Sequence, residues 1–328
     1  MELDSYGIYF YFTGDVHNIP IERIQKVSIG SDSIKSDRGE IGLQTKLGEG
    51  TYGKTYATRS GRALKIIQLR NTEDLYNTLG EAIMNIILFE GTEHEKDGPY
   101  VPRVYEFGLT ADLKTAIIHY ERMTGTLFDY LQSKTPSEND KIVPDTILKL
   151  LNICEFLQRR FQFNHRDFKS DNIMYVMKKG KPVWRIIDLG AACMTWNGFR
   201  LASDSVFSPS RPCVHTGRDM TFLITELVLD VQLSPKLESV LRTLITIPIR
   251  GTTCALNSLD CEDYKKWENI YDLLNNTNVM NPNYAHIRSM LMQFLNKSVQ
   301  TQKLKRPFWN FTFRKPKHER RRHRSRRN

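Results

Sequence analysis

The stretch NHRDFKSDNIMY, residues 164–175, concentrates charged and amide side chains between an apolar helical pattern and an apolar strand pattern. It holds one His, one Arg, one Lys, two Asp and two Asn where a hydrophobic core would be expected to form. Polar groups without partners are unfavourable in such a place, so the stretch is either a solvated turn or a catalytic loop. The surrounding sequence distinguishes these two interpretations.

A β-hairpin is predicted directly after this stretch. Asn172 precedes the run IMYVM, the turn KKGKP follows, and the run VWRII leads to Asp188 in DLG. Because pairing of the two strands brings their outer ends together, the amide of Asn172 and the carboxylate of Asp188 should converge. Such hard oxygen ligands suit Mg²⁺, which retains waters and shares the phosphates of a substrate. Asp167, five residues before Asn172, should lie near this point of convergence and could accept a proton from an incoming hydroxyl group.

A glycine-rich segment, KLGEGTYGKTY, occurs upstream. Gly48, Gly50 and Gly53 have the spacing GxGxxG, and glycines allow a hairpin backbone to approach phosphate groups closely. This spacing also arises by chance, so a plain turn is the alternative. A strand pattern follows it rather than a helix, which argues against a dinucleotide-binding fold.

A lysine interrupts the apolar run GRALKII. Lys65 is either an edge-strand residue that faces solvent or a buried cation that needs an anionic partner. Glu81 on the following helix could form that ion pair. Glu73 and Glu90 are competitors, but they lie at the helix ends.

The pattern of apolar residues predicts an α+β protein with a small β-rich lobe that carries one helix and a larger, mainly helical lobe. Residues 1–40 are interpreted as an N-terminal extension, 41–300 as one domain divided near residue 120, and 301–328 as a tail. The helix of the first lobe is TEDLYNTLGEAIMNIILFE, with Thr72 as its predicted N-cap, and Pro144 is predicted to start the first helix of the second lobe. Further strands are predicted at 41–47, 54–58, 62–67 and 115–120, and further helices near 219–230, 235–246, 263–274 and 284–296.

Composition indicates an intracellular protein, cytoplasmic or nuclear. No apolar run reaches the roughly 18 residues of a membrane span, and the first residues lack the pattern of a signal peptide. Five cysteines, without a CxxC pair, favour reduced thiols over a disulfide framework or a zinc site.

The net charge of +10 is concentrated in the tail. From Lys303 onward there are 12 Lys and Arg and one acidic residue, which leaves 35 basic and 36 acidic residues before Lys303. The ending KPKHERRRHRSRRN is a like-charge block, expected to be disordered when alone. It predicts a nucleic-acid partner or a nuclear import factor, with a merely solvated terminus as the alternative.

Across about residues 41–300 the chain resembles the eukaryotic-type protein kinases, because the glycine loop, strand Lys, helix Glu, HRDFKSDN and DLG occur in that family's order. The resemblance implies ATP and Mg²⁺ as cofactors and protein hydroxyls as acceptors. It implies that Asp167 is the catalytic base, that Lys65 contacts the α- and β-phosphates, that Glu81 positions Lys65, and that Asn172 and Asp188 hold Mg²⁺. Lys169 would lie near the γ-phosphate, and a Lys at that place resembles the serine/threonine kinases.

The same resemblance extends to the adenine site. IIHYERMTGTLFDYL is similar to the family's hinge, with Tyr120 as the gatekeeper and with backbone groups of Glu121 and Met123 facing adenine. Thr55 replaces the usual Val above the base and Leu189 replaces the usual Phe of DFG. Asp219 resembles the buried helix Asp that braces the catalytic loop.

The segment between Asp188 and Asp219 lacks an APE motif, which separates this chain from the usual mode of peptide docking and phospho-activation. A chain with such a compact and divergent set of kinase motifs resembles the kinases encoded by large DNA viruses. The alternatives to an active serine/threonine kinase are a pseudokinase, a phosphotransferase for a small molecule, and a nucleic-acid-packaging or virion protein whose tail is its function.

Overall fold

The computed structural model describes residues 24–50, 53–202, 213–245 and 283–304. Seven strands of the first part form one closed barrel in the order β1-β2-β3-β4-β5-β7-β6. Neighbouring strands are antiparallel except β1 and β6, which are parallel and close the barrel. The strands are β1 Ile24–Ile29, β2 Ser33–Ser36, β3 Gly39–Gly50, β4 Gly53–Thr58, β5 Ala63–Gln68, β6 Val104–Thr110 and β7 Thr115–Tyr120.

Two of these strands come from the predicted N-terminal extension. β1 and β2 form a hairpin, and β1 runs along β6 from the pair Ile24 and Phe107 to the pair Val27 and Thr110. A small apolar cluster joins the extension to the rest of the barrel, and its buried members are Val27, Ile34, Leu64 and Ile117. The four predicted strands are confirmed, whereas β1, β2 and β6 were not predicted.

Helix α1, Thr72–Thr92, confirms the predicted helix of this part. Its N-cap is Asn71, whose side chain accepts a hydrogen bond from the N–H of Asp74, so the prediction of Thr72 as N-cap is wrong by one residue. Asn is a strong N-cap because its short side chain reaches the free N–H groups of the first turn. Leu75, Leu79 and Ile83 are buried in the main hydrophobic core.

The second part begins with β8 Gly125–Thr126, α2 Leu127–Gln132 and α3 Pro136–Phe161. Thr135 and Glu138 form a capping box at the start of α3, and Pro136 occupies the first turn. Pro144 lies inside α3, so its prediction as the first helical residue is wrong. The capping box upstream outweighs the backbone hydrogen bond that a proline inside a helix loses.

The predicted hairpin is present as β9 Ile173–Lys178 and β10 Lys181–Ile186, with Lys178 opposite Lys181. Lys179 and Gly180 connect the strands with φ angles of 52° and 74°, the positive values typical of a tight hairpin turn. A short 3₁₀ turn, Ser170–Asn172, leads into β9, and another, Leu189–Ala191, follows β10. The strands β11 Cys193–Trp196 and β12 Phe199–Ala202 form a second hairpin.

Three further helices are described: α4 Arg218–Asp230, α5 Pro235–Leu244 and α6 Tyr284–Leu304. They confirm three of the four predicted helical patterns, and the pattern at 263–274 lies outside the described residues. Helix α6 also includes residues 301–304, the first four of the predicted tail. The main core is continuous from α1 through α3 and α4 to α6, which gives the α+β composition that was expected.

Cys193 and Cys213 form a disulfide, and Cys154 is a buried free thiol. This pair differs from the predicted preference for reduced thiols, and its Cα atoms lie 5.2 Å apart, a distance that a disulfide spans. Cys254 and Cys261 lie outside the described residues. Among the helices that the structure describes, none combines the length and apolar character that crossing a membrane requires.

Candidate active site

Strand β5 and helix α1 bring Lys65 and Glu81 together. The Nζ of Lys65 lies 3.1 Å from Oε1 and 3.4 Å from Oε2 of Glu81, and 3.8 Å from Oδ1 of Asp188. Burial opposes the charged form of Lys65, but the carboxylates of Glu81 and Asp188 outweigh it and raise the pKa of the ammonium. Lys65 is therefore a partly buried cation. Of the three predicted partner carboxylates, the structure places Glu81 beside it.

The C-terminal end of β7 supports this ion pair. The hydroxyl of Tyr120 donates a hydrogen bond to Oε1 of Glu81 at 3.2 Å. Burial, followed by the nearby carboxylates of Glu81 and Asp188, raises the pKa of the Tyr120 phenol, so the group remains a donor. Glu81 thus has a cation on one side and a neutral donor on the other.

Three predicted residues of the catalytic loop form one cluster. Oδ2 of Asp167 accepts hydrogen bonds from Nζ of Lys169 and from Nδ2 of Asn172, both at 2.9 Å. The Asn172 amide also donates to the backbone carbonyl of Asp167. Oδ1 of Asp167 is buried and has no hydrogen-bond partner among the described residues. Burial by itself lowers the pKa of Lys169, but the nearby carboxylates, Asp167 foremost, raise it. The net result is a raised pKa.

The hairpin β9–β10 brings Asn172 and Asp188 to the same end. Ile173 pairs with Ile186, and the N–H of Ile187 donates to the carbonyl of Asn172 at 2.9 Å. Asp188 has a φ angle of 58°, and about half of its side chain is exposed. The expected convergence of strand ends is confirmed for the backbone.

Helix α4 holds the start of the catalytic loop through Asp219, which is almost completely buried. One carboxylate oxygen accepts from the N–H of His165 and from the side-chain amide of Asn164, and the other accepts from the N–H of Arg166. The imidazole Nε2 of His165 lies 2.8 Å from the carbonyl of Ile187. The loop is therefore tied both to α4 and to the segment that leads to Asp188.

The glycine segment forms the connection between β3 and β4. Gly48 pairs with Thr55 and Gly50 with Gly53, while residues 51–52 lie outside the described residues. A Cβ atom at Gly53 would lie 2.2 Å from the carbonyl oxygen of Ile66, so this position requires glycine. A Cβ atom at Gly48 or Gly50 would meet no atom within 4 Å among the described residues. Thr55 lies directly opposite Lys65 on the neighbouring strand.

Residues 121–124, which include the predicted hinge residues Glu121 and Met123, connect β7 to β8. The N–H of Glu121 donates to the carbonyl of Arg103 at 2.8 Å, and its carboxylate accepts from the N–H of Arg103. The N–H of Thr124 donates to the carbonyl of Tyr175 in β9. Met123 lies between these two anchored residues.

One residue of the site was not predicted. Glu226, in the middle of α4, accepts hydrogen bonds from the N–H of Ser170 at 2.5 Å and from its hydroxyl at 3.0 Å. Burial raises the pKa of Glu226 to about 7. The hydrogen bonds from Ser170 lower this pKa in part, and the nearby Asp171 and Asp230 raise it further. The available signal was an acidic residue seven positions after Asp219, two helical turns later on the same face.

Comparison with known proteins gives one family match. The model of the protein kinase domain matches residues 42–209, just over half of the chain. No curated protein matches the chain. The match covers the glycine segment, Lys65, Glu81, the catalytic loop and Asp188 in one continuous range. The chain therefore belongs to the protein kinase domain family.

Proposed function

We propose that the chain is an active serine/threonine protein kinase that transfers the γ-phosphate of ATP to protein hydroxyls. The observation that carries this proposal is the state of Asp167. One of its oxygens is held by Lys169 and Asn172, and the other is buried without a partner among the described residues. The two donors fix the orientation of the carboxylate, and 17 % of its side chain is exposed, so it would accept a hydrogen bond and then a proton from an incoming hydroxyl group.

ATP would lie between the barrel and the catalytic loop in the two-lobed arrangement of the family. Glu121 and Met123 would present backbone groups to adenine, and Thr55 would contact the base. Gly48, Gly50 and Gly53 would allow the backbone to approach the phosphates, since Cβ atoms at Gly48 and Gly50 would occupy open space. Lys65, held by Glu81, would contact the α- and β-phosphates.

Asn172 and Asp188 are the residues that would hold Mg²⁺. An amide and a carboxylate are oxygen donors suited to this ion, and the half-exposed Asp188 carboxylate is accessible. When bound, Mg²⁺ would neutralise phosphate charge.

The chain's own residues then position the reactants. Asp167 would orient the acceptor hydroxyl through its carboxylate and accept its proton, while Lys169 would balance charge at the γ-phosphate. Lys169 also carries the serine/threonine assignment, which rests on the resemblance of HRDFKSDN to that class.

The two alternatives within the kinase fold are less well supported. A pseudokinase usually lacks the strand Lys, the base Asp or the metal Asp, whereas Lys65, Asp167 and Asp188 are all present in this chain. A small-molecule phosphotransferase shares the ATP chemistry but differs in its acceptor, and Lys169 after His165, Arg166 and Asp167 argues against it.

Radiolabel transfer from ATP to generic acidic and basic proteins, followed by phosphoamino-acid analysis, tests this proposal. We expect phosphoserine and phosphothreonine. Predominant phosphotyrosine would refute the specificity assignment, label on small hydroxyl compounds alone would favour the second alternative, and nucleotide binding without transfer would favour a pseudokinase.

A further inference from the structure

The catalytic loop is anchored to helix α4 at two separate points. Asp219 holds the backbone at His165 and Arg166, before the catalytic carboxylate. Glu226 holds the backbone and the hydroxyl of Ser170, after it. Asp167 and Lys169 lie between these two anchors, so both ends of the reactive segment are fixed to one rigid helix.

The second anchor is linked directly to the reactive groups. Ser170 begins the 3₁₀ turn that ends at Asn172, and the N–H of Asn172 donates to the carbonyl of Lys169. Because the side chain of Asn172 in turn holds Asp167, a shift of Ser170 would be transmitted to both Lys169 and Asn172. A displacement of about 1 Å in a reacting group can lower a rate about a hundredfold.

The chemistry of Glu226 favours a specific role over simple filling of space. Glu226 is only 6 % exposed, and Ser170 is completely buried. A carboxylate in such a place is costly to ionise, and both of its oxygens are used by the same residue. Charge-assisted hydrogen bonds are shorter and roughly twice as strong as neutral ones, so the ionised form holds Ser170 more firmly than the protonated form.

We propose that Glu226 is a positioning residue that acts through Ser170 to keep Asp167, Lys169 and Asn172 in the arrangement needed for phosphoryl transfer. This inference rests on the kinase function proposed above. The other titratable groups that face Glu226 are Asp171 on the 3₁₀ turn and Asp230 at the end of α4, and both disfavour its ionisation. Glu226 should therefore exchange its proton near neutral pH, and the anchor should strengthen as the pH rises.

Steady-state kinetics of four variants test the anchor. Glu226→Leu removes both hydrogen bonds and should lower kcat about tenfold to hundredfold. It should change KM for ATP less, because Lys65 and the hinge are untouched whereas Asn172, proposed to hold Mg²⁺, would shift. Ser170→Ala removes one bond and should have a smaller effect in the same direction. Glu226→Gln mimics the protonated acid, so it should give an intermediate kcat. Thr225→Val is the matched control on the same helix, because Thr225 is also buried but, among the described residues, its hydroxyl bonds to the carbonyl of Thr221 and not to the catalytic loop.

The pH profile separates this role from a general effect on the helix. Between pH 6 and 8.5 the kcat of wild type should rise through about pH 7 more steeply than that of Glu226→Gln. The proposal is overturned if the two profiles are parallel, if Glu226→Leu turns over like wild type, or if Thr225→Val is slowed as much as Glu226→Leu.

Amide hydrogen exchange supplies a readout that does not depend on turnover. Peptides that cover residues 164–172 should exchange faster in Glu226→Leu than in Thr225→Val, with equal exchange in the barrel. Equal exchange in the two variants would contradict the anchor. If the wild-type protein transfers no phosphate to any acceptor, the proposed function fails, and the exchange experiment still decides whether Glu226 orders the loop.

Discussion

Asp167 combines two oxygens with different surroundings in one carboxylate. Oδ2 accepts from Lys169 and Asn172, whereas Oδ1 is buried without a partner among the described residues. The donors on one side fix the orientation of the group, so the other oxygen points in a defined direction. A general base needs a fixed orientation, which these two donors provide.

The variant Asp167→Asn tests this assignment with little change of shape. We expect kcat to fall about 10²–10⁴-fold, because the carboxylate that orients and deprotonates the hydroxyl is lost. The affinity for ATP should remain, as measured with a fluorescent nucleotide. The control is Asp145→Asn, an exposed carboxylate on α3 that pairs with Lys149. Turnover of Asp167→Asn at the wild-type level would remove Asp167 from its proposed role.

Lys65→Met removes the cation at the proposed phosphate site and keeps the volume of the apolar stem. Transfer should fall by at least about a hundredfold, as for other groups that stabilise developing charge. The protein should stay folded, because Tyr120 still donates to Glu81. Single-turnover transfer and circular dichroism measure the two effects, and Lys149→Met, on an exposed lysine, is the control.

Glu81→Gln completes this test. It should slow transfer as well, since Lys65 then loses the carboxylate at 3.1 Å that fixes its position. If Glu81→Gln turns over normally while Lys65→Met does not, the positioning carboxylate lies elsewhere, with Asp188 at 3.8 Å as the next partner.

At the scale of the elements, strands β1 and β2 are structural parts of the barrel. Ile34 is completely buried in the small cluster with Val27, Leu64 and Ile117. Leu64 and Lys65 are neighbours on β5, so this cluster supports the strand that carries the proposed phosphate-binding lysine.

Ile34→Ala should lower the free energy of unfolding by about 2–4 kcal/mol, the usual effect of truncating a buried aliphatic side chain. Ile29→Ala is the matched control on the neighbouring strand, since Ile29 is 39 % exposed, and it should change stability by less than about 0.5 kcal/mol. Chemical denaturation measures both values. Equal effects would show that the cluster does not stabilise the barrel.

Glu226 on helix α4 should make the free energy of unfolding depend on pH. The pKa of Glu226 is about 7 in the folded protein against an ordinary value of 4.5, so the folded state binds a proton that the unfolded state has released between these values. The contribution of Glu226 to stability therefore falls as pH rises from about 4.5 to about 7, by a few kcal/mol. His119 acts in the opposite direction, because burial and then Arg62 lower its pKa to about 4.

The difference between wild type and Glu226→Gln isolates the effect of Glu226. Denaturation curves at several pH values should show wild type losing stability relative to the variant up to about pH 7 and no further change above it. A constant difference across this range would contradict the assignment.

Local patterns were enough to predict some elements and not others. The hairpin β9–β10 was predictable because both strands and their turn lie in 14 consecutive residues, Ile173–Ile186. Strands β1 and β6 were missed because they are paired with each other across about 80 residues of sequence. The N-cap of α1 was assigned to Thr72, whereas Asn71 caps the helix. The start of α3 was assigned to Pro144, whereas the helix begins after the capping box of Thr135 and Glu138.

The residues of the candidate site also divide into those that local sequence patterns indicate and those that they do not. Lys65, Glu81, Asp167, Asn172 and Asp188 belong to motifs with fixed spacing, so sequence alone could name them. Glu226 belongs to no such motif. Its role depends on how α4 packs against the 3₁₀ turn at Ser170, which only a three-dimensional arrangement specifies.

At the scale of the whole molecule, charge is divided unequally along the chain. Residues before Lys303 are nearly neutral, whereas the segment 314–328 alone contains nine Lys and Arg and one Glu. This segment lies outside the described residues, as do the aromatic residues of RPFWNFTF before it. Arg predominates, and its planar group pairs well with phosphate. We propose that it binds a nucleic acid or a nuclear import factor.

Deletion of residues 314–328 should leave transfer to a short peptide unchanged and abolish salt-dependent binding to DNA or RNA. Binding by the full chain should weaken steeply with salt, with a slope of about −0.7 to −0.9 per neutralised phosphate. A chain of full length with these nine residues changed to Gln is the matched control. If the truncated chain keeps both nucleic-acid binding and its location in the cell, the tail is merely solvated.

The parallel pairing of β1 with β6 also sets an order of events during synthesis. Ile24–Ile29 leaves the ribosome early, but its partner is complete only when Thr110 has been added. β1 can pair with β2 at once, but at about 5–20 residues per second its other edge waits several seconds before β6 exists. Contacts between distant residues form late because a long loop must first close. The barrel that carries Lys65 is thus completed after β1 has spent time paired only with β2, and this interval is when a chaperone or an aggregating neighbour would compete for its free edge.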